Sequence, residues 1–255
     1  MTTICGLPSL AVEEHMRQVL PEDPEPEQIA MGFARAAWST LVEPGDRVAG
    51  RLISLFGPQL SLQFLIERLR ADEIVAQCEN LDELELDTSQ FTEDLAEGIA
   101  RWQPRLSSGD ALNAVTHAAK LGAFLITPEQ ELWPVGLDDL GMHAPLVLWG
   151  RGKLSTLEKF ENSLAVAGAR ASTGYGEHVT METVSAIAET GVAIVSGAAY
   201  GIDGMAHRSA LAVGGTTMAF LAGGVDRFYP SGHDALLGRI IETGLVLAEA
   251  PCGYA

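Results

Sequence analysis

Between residues 163 and 249 four short, almost wholly apolar runs alternate with longer stretches of helical periodicity: SLAVA (163–167), VAIVS (192–196), TTMAFLA (216–222) and LVLAE (245–249). A strand that is apolar at every position has both faces covered, which is the signature of a parallel sheet. The intervening stretches fit helices at roughly 178–190, 203–213 and 233–243, stopped by Gly191, Gly214 and Gly244. A βαβαβαβ alternation of this kind predicts an α/β class chain, a Rossmann-like doubly wound parallel sheet. In the common 3-2-1-4 strand order the fourth run lies beside the first. Leu245, Val246 and Leu247 would then form an open edge, so the sequence predicts self-association there.

Three glycine-bearing loops follow the first three runs: GARASTGYG (168–176), SGAAYGID (196–203) and AGGVDRFYP (222–230). In an open parallel sheet they meet at the carboxyl edge, where ligands bind. Glycine lets a backbone approach a phosphate, and each following helix offers unpaired N–H groups and a positive dipole end. With Arg170 among them, the loops predict an anion-binding crevice. The first loop is not G-x-G-x-x-G, and the second strand ends in Ser196-Gly197 without a ribose-binding acid, so a dinucleotide is not expected; nor is there a G-K-[ST] phosphate loop. No cofactor is predicted. Asp203 and His207 share a helix face, and capping by Asp203 with His207 bracing it or a loop carbonyl is favoured over acid–base catalysis, because no nucleophile or metal-ligand cluster lies nearby. No G-x-S-x-G elbow frames Ser172 or Ser196, which leaves them as phosphate donors.

The rest of the chain reads differently. Ile29, Phe33, Ala37 and Leu41 recur every fourth residue, and a second apolar stripe runs through Val48, Leu52, Leu55 and Phe56 up to a Gly57-Pro58 turn. Residues 28–86 thus read as a small helical bundle, 87–122 as a helical connector and 1–27 as a flexible segment. AFLIT (123–127) and PLVLW (145–149) look like short buried strands opening the α/β domain, 123–255. The formal charge of -18 is uneven: residues 1–150 hold 9 Lys and Arg against 24 Asp and Glu, whereas residues 151–255 hold 7 against 10. The second part is therefore free to carry a local positive site. Three widely spaced cysteines suggest neither disulfides nor a zinc site, and no segment reads as a signal peptide or membrane span, so a soluble cytoplasmic protein is expected.

The ordered stretches PLVLWGRG, AVAGARASTGYG, GVAIVSGAAYGIDGMAH, TTMAFLAGGVDRFYP and GLVLAEAPCG together resemble the DNA-processing protein A (Smf) family over about residues 123–253. The helical part resembles that family's amino-terminal helical, SAM-like domain loosely. The resemblance implies a single-stranded DNA-binding recombination mediator of natural transformation that loads the RecA recombinase, with a homodimer in the full-length family form and no established enzymatic activity. It places Arg170 on a phosphate, with Gly168, Ser172, Gly174, Tyr175 and Gly176 beside it. Ser196, Gly197, Gly201 and Asp203 shape a second wall, and Gly223, Gly224, Tyr229 and Pro230 a third. Tyr200 stands where the family usually has arginine; that weakens phosphate binding and offers a ring to a base. The family also continues past EAPCG with further strands, so a fragment or truncated product is expected. The alternative reading is an enzyme related to the Rossmann-like nucleotide phosphoribohydrolases, but LAGGVDRFYP lacks the threonine and the acid of their P-G-G-x-G-T loop. A folded, functionally degenerate chain is the third.

Overall fold

A computed structural model describes residues 3–21, 23–78 and 87–254. Its first half is helical: α1 (Ser9–Val19), α2 (Pro26–Leu41), α3 (Arg47–Ile66), α4 (Ala71–Val75), α5 (Thr88–Trp102) and α6 (Ser108–Lys120). The four-residue spacing in α2 does what it implies, burying Ile29, Phe33, Ala37 and Leu41. At its start the Gln28 side chain accepts the Glu25 N–H at 2.8 Å and Pro26 fills a position that needs no donor. Asp46 caps α3 through the N–H groups of Val48 (3.0 Å) and Ala49 (3.2 Å). Its other carboxylate oxygen receives Arg101 (3.0 Å) and the Trp102 indole (3.3 Å), so one residue both starts α3 and ties it to α5. The Gly57-Pro58 turn appears as a break inside α3, with Gly57 at φ 74°. Trp38 donates to the freed Pro58 carbonyl at 3.0 Å.

Two expectations for this half change. The segment ahead of residue 28, expected to be flexible, holds a short antiparallel pair, β1 (Thr3–Ile4) with β2 (Leu7–Pro8), and then α1. Val12, Met16 and Val19 of α1 are buried against α2 and α6, an apolar stripe that the nearby charges hide from a composition-based reading. The last residues assigned to the bundle, 79–86, lie outside the described residues.

The second half is one six-stranded sheet: β3 (Phe124–Ile126), β4 (Leu148–Gly152), β5 (Ser163–Ala165), β6 (Ala193–Ser196), β7 (Thr217–Leu221) and β8 (Leu245–Ala248). The crossover helices are α7 (Gly174–Glu189), α8 (Ile202–Ala212) and α9 (Asp234–Thr243). The four apolar runs are β5 to β8, mutually parallel as their composition implies. Their order is not 3-2-1-4, however. The sheet runs β3-β4-β8-β7-β6-β5, each crossover stepping to the adjacent strand. β8 is therefore no edge: β4 pairs with it antiparallel, setting Gly150 opposite Leu247, Arg151 opposite Val246 and Gly152 opposite Leu245. The predicted self-association through Leu245, Val246 and Leu247 loses its physical basis, because those backbone groups are paired. The edge strands are β3 and β5, and at β5 Leu164 is 38% exposed.

Strand parity assigns the faces. Ile194, Ala219 and Val246 face the three crossover helices, whose Val184, Ala206 and Leu237 are buried there. The same core continues without a break into α2, α3 and α6. Met218, Leu245 and Leu247 face the other way, onto Trp133 and Leu157 from the irregular 127–160 stretch. Helical and α/β parts are also joined by polar contacts: the Trp149 indole donates to Ser39 Oγ at 3.3 Å, and Arg35 pairs with Glu129 at 2.6 Å.

Candidate nucleic-acid interface

All three glycine-bearing loops leave the same, carboxyl edge of β5, β6 and β7, and short contacts knit them into a single rim. Asp203 lies 7% exposed beneath the first two loops. One carboxylate oxygen accepts the Gly168 N–H and the other the Ala199 N–H, each at 3.3 Å. Ser196 Oγ donates to the Val166 carbonyl at 2.6 Å, and the Ile202 N–H reaches the Ala169 carbonyl at 3.2 Å. Gly201 makes this approach sterically feasible: it sits at φ 78°, and a Cβ there would collide with the carbonyls of Ala169 and Arg170. The second loop is joined to the third by His233, whose Nδ1 bonds the Ala198 carbonyl at 2.9 Å. Tyr200 lies edge-on to the His233 ring, centroids 5.0 Å apart, with its hydroxyl end over Gly232. Asp226, in the third loop, accepts the Gly253 N–H at 3.0 Å and so anchors the segment after β8.

The helix starts behind the first two loops differ in what they leave unpaired. At α7, Thr173 caps the Gly176 N–H at 3.1 Å, leaving the N–H groups of Gly174 and Tyr175 ahead of the first intrahelical bond. Arg170 is exposed in the loop that leads into α7, with no ion pair among the described residues. The start of α8 is closed, because Ile202 and Gly204 already donate to Ala169 and Ala199. Several residues predicted to meet a phosphate are consequently occupied. Ser196 and Asp203 are buried braces, and the N–H of Gly168 is spent on Asp203. Ser172 donates its hydroxyl to Glu177 at 2.7 Å. The sequence reading missed Glu177, whose first-turn carboxylate takes the place at the helix dipole that a bound anion would want. Gly197 and Tyr229 are exposed in the second and third loops and Gly223 is half-buried, whereas Gly224 and Pro230 are buried.

The Asp203/His207 reading also needs correction. The α8 cap position is Gly201, not Asp203, and His207 makes no bond to Asp203; the carbonyl acting on it is that of Ser196, at the head of the second loop. Its Nδ1 meets Thr217 Oγ1 at 2.7 Å, while Nε2 has no hydrogen-bond partner among the described residues. Fully buried, the imidazole is pushed from 6.5 down to about 4 by desolvation, with the Ser196 carbonyl opposing and the charges of His233 and Arg208 adding to the shift. It is a neutral core residue. Among the described residues no group of three His, Cys, Asp or Glu is placed to hold a metal ion.

A cavity of about 510 Å³ adjoins the third loop at Gly223, between the helical part and the ends of β7 and β8. Arg105, Glu43, Asp110 and Glu249 reach into it, and burial raises the Glu249 pKa. No local sequence signal marks this cavity, since its walls come from positions up to two hundred residues apart.

A mixed sheet whose parallel strands β5, β6 and β7 deliver three interlocked glycine-bearing loops to one edge defines a Rossmann-like α/β domain. The profile of the family described as DNA recombination-mediator protein A matches residues 124–255, just over half of the chain, and the chain belongs to that family. Over 142 residues it is 47% identical to the putative DNA processing protein DprA of Mycobacterium tuberculosis H37Rv, covering 52% of this chain and 36% of that protein. Over 105 residues it is 40% identical to the protein Smf of Escherichia coli K12, covering 41% and 28%. The chain thus spans only about a third of the length of these relatives. The X-ray structure of DNA processing protein A (DprA) from Streptococcus pneumoniae superposes with a TM-score of 0.58 at 24% identity, over 87% of this chain and 67% of that one. This shared fold takes in the helical part as well as the sheet.

Proposed function

We propose that the three-loop rim binds single-stranded DNA and that the protein acts as a recombination mediator in the cytoplasm, handing the strand to RecA without chemically altering it. One observation carries the reading: an exposed, unpaired Arg170 lies in the loop that leads into α7, whose first turn leaves two N–H groups for a phosphate. Membership of the family supports it. Gly174 and Tyr175 supply the N–H groups, and Ser172 joins them by exchanging Glu177 for the phosphate. Gly197 and Gly223 let the strand lie close to the backbone, while Gly168, Ser196, Gly201 and Asp203, with the buried Gly224 and Pro230, hold the walls in place from beneath. A flexible strand bends into a rim of interlocked loops; a rigid duplex does not. In this reading the helical residues 28–86 and 87–122 form a supporting domain and connector, 123–255 the binding domain, and two copies pair in the family's full-length form.

The test is fluorescence anisotropy of a labelled oligonucleotide. The single strand should bind more tightly than its duplex, and Arg170→Ala should lower affinity and reduce the slope of log K against log salt by about 0.7, the value for one phosphate contact on a single strand. Equal binding of single strand and duplex, or an unchanged slope in the variant, would remove the site from this position.

A further inference from the structure

Charge is scarce in this rim and aromatic surface is not. The three loops, 168–176, 196–203 and 222–230, together hold two arginines, Arg170 and Arg227, against two aspartates, Asp203 and Asp226, for a formal charge of zero in a chain of net charge -18. Yet three of the chain's four tyrosines lie in these same loops. Tyr175, Tyr200 and Tyr229 are 79%, 49% and 74% exposed, each on a different loop. Large rings left this open are normally withdrawn into the core or covered by something, and clustered exposure marks a contact surface. Their supports are stiff. Tyr175 is in the first turn of α7, behind the Thr173 cap. Tyr200 rests on Gly232 and the edge of His233.

Resting on the reading that single-stranded DNA occupies the rim, we propose that Tyr175, Tyr200 and Tyr229 are stacking positions for bases of the bound strand and that stacking, not charge, carries most of the affinity. Arg170 then sets where one phosphate sits. The bases, whichever they are, supply the π-faces, so binding is tolerant of sequence. With four arginines at most in reach, Arg170 and Arg227 in the loops, Arg151 over the Phe228 ring and Arg208 beside Gly204 and His233, the salt slope is no steeper than about -2.8 at 0.7 per phosphate.

Three oligonucleotides of equal length test this on the 255-residue protein: oligo-dT, a mixed sequence, and an abasic deoxyribose-phosphate strand that keeps every phosphate and lacks every base. The expected result is comparable binding of the first two, a shallow salt slope, and a loss of at least tenfold for the abasic strand. Tyr175→Ala and Tyr229→Ala, at sites too exposed to disturb the fold, should each weaken oligo-dT roughly fivefold or more, on the scale of one lost stack. Tyr200→Phe should retain affinity where Tyr200→Ala loses it, with thermal unfolding of both variants as a check on the fold. Abasic and oligo-dT strands binding alike, with a slope steeper than about -3, would overturn the stacking proposal while leaving the site in place. A protein that binds none of the three would overturn the site assignment and the stacking proposal together.

Discussion

His207 makes the stability of the whole chain depend on pH in a calculable way. Its ring is fully buried between α8 and β7, and its pKa falls from 6.5 in the unfolded chain to about 4 in the fold. Between those values the unfolded state binds a proton that the folded state refuses, so stability rises with pH across that window. The folded state is unpenalised above pH 6.5, loses stability as the pH falls from 6.5 to 4, and levels off below. The full shift, 6.5 to about 4, amounts to about 3 kcal/mol at 1.36 kcal/mol per unit, of which about 2 kcal/mol is expressed between pH 7.5 and pH 5. Carboxylates titrate in the same range, including the raised Glu249, so the perturbation to make is His207→Asn. The carboxamide keeps a donor in the place of Nδ1, facing Thr217 Oγ1, and does not titrate. Urea unfolding followed through the buried Trp38, Trp102 and Trp149 should show the variant less stable at pH 7.5 because of the lost ring volume. Its midpoint should then fall less than the wild type's on going to pH 5, by about 0.7 M if m is about 3 kcal/mol/M. Parallel losses in both proteins would refute the reasoning, showing that the imidazole is protonated in the fold or solvated there.

Gly201→Ala should destabilise by about 3 kcal/mol, since φ 78° and the carbonyls of Ala169 and Arg170 both exclude a Cβ; Gly174→Ala, with open space at that Cβ, should leave the unfolding midpoint unchanged or slightly raised. Because one core runs from α2 through the sheet to α9, fluorescence and far-ultraviolet dichroism should report a single coincident unfolding transition, and two separated transitions would show the helical part folding alone. If the chain self-associates through the β5 edge, Leu164→Lys should reduce light scattering at high concentration, and unchanged scattering would place the contact elsewhere, the β3 edge included. Incubation with nucleoside monophosphates should release no free base, because the third-loop carboxylate, Asp226, is largely buried and bound to the Gly253 N–H.

How far the sequence reached follows from what each signal encodes. The apolar runs of β5 to β8 and the spacing of Ile29, Phe33, Ala37 and Leu41 are local consequences of burial, and they placed strands and helices within a few residues. Strand order is not local. Nothing in LVLAE says that its free side will meet β4, since that pairing depends on Gly150 and Gly152 admitting the Phe124 ring and the turn at Gly244. The three loops were found because glycine at a strand end has few other uses, and Gly201 bears this out at φ 78°. Which of their polar groups face a ligand was beyond the pattern: in the sequence Ser196 reads as a phosphate donor and Asp203 as a helix cap at a wall of the crevice, and in the fold each is consumed by bracing the loops. α1 was missed because its three buried residues, Val12, Met16 and Val19, are diluted by Glu13, Glu14, His15 and Arg17 on the opposite face.

Where the strand lies can be mapped without relying on affinity. An oligonucleotide carrying 5-iodouracil, crosslinked by ultraviolet light and followed by peptide mapping, reports the residues touching its bases. Crosslinks should fall within 168–176, 196–203 and 222–230, with Tyr175, Tyr200 or Tyr229 as the modified residues, and a duplex of the same sequence should crosslink far less. Crosslinks confined to the helical residues 28–78, or to the face of the sheet covered by Trp133 and Leu157, would place the strand elsewhere and contradict the assignment of the rim.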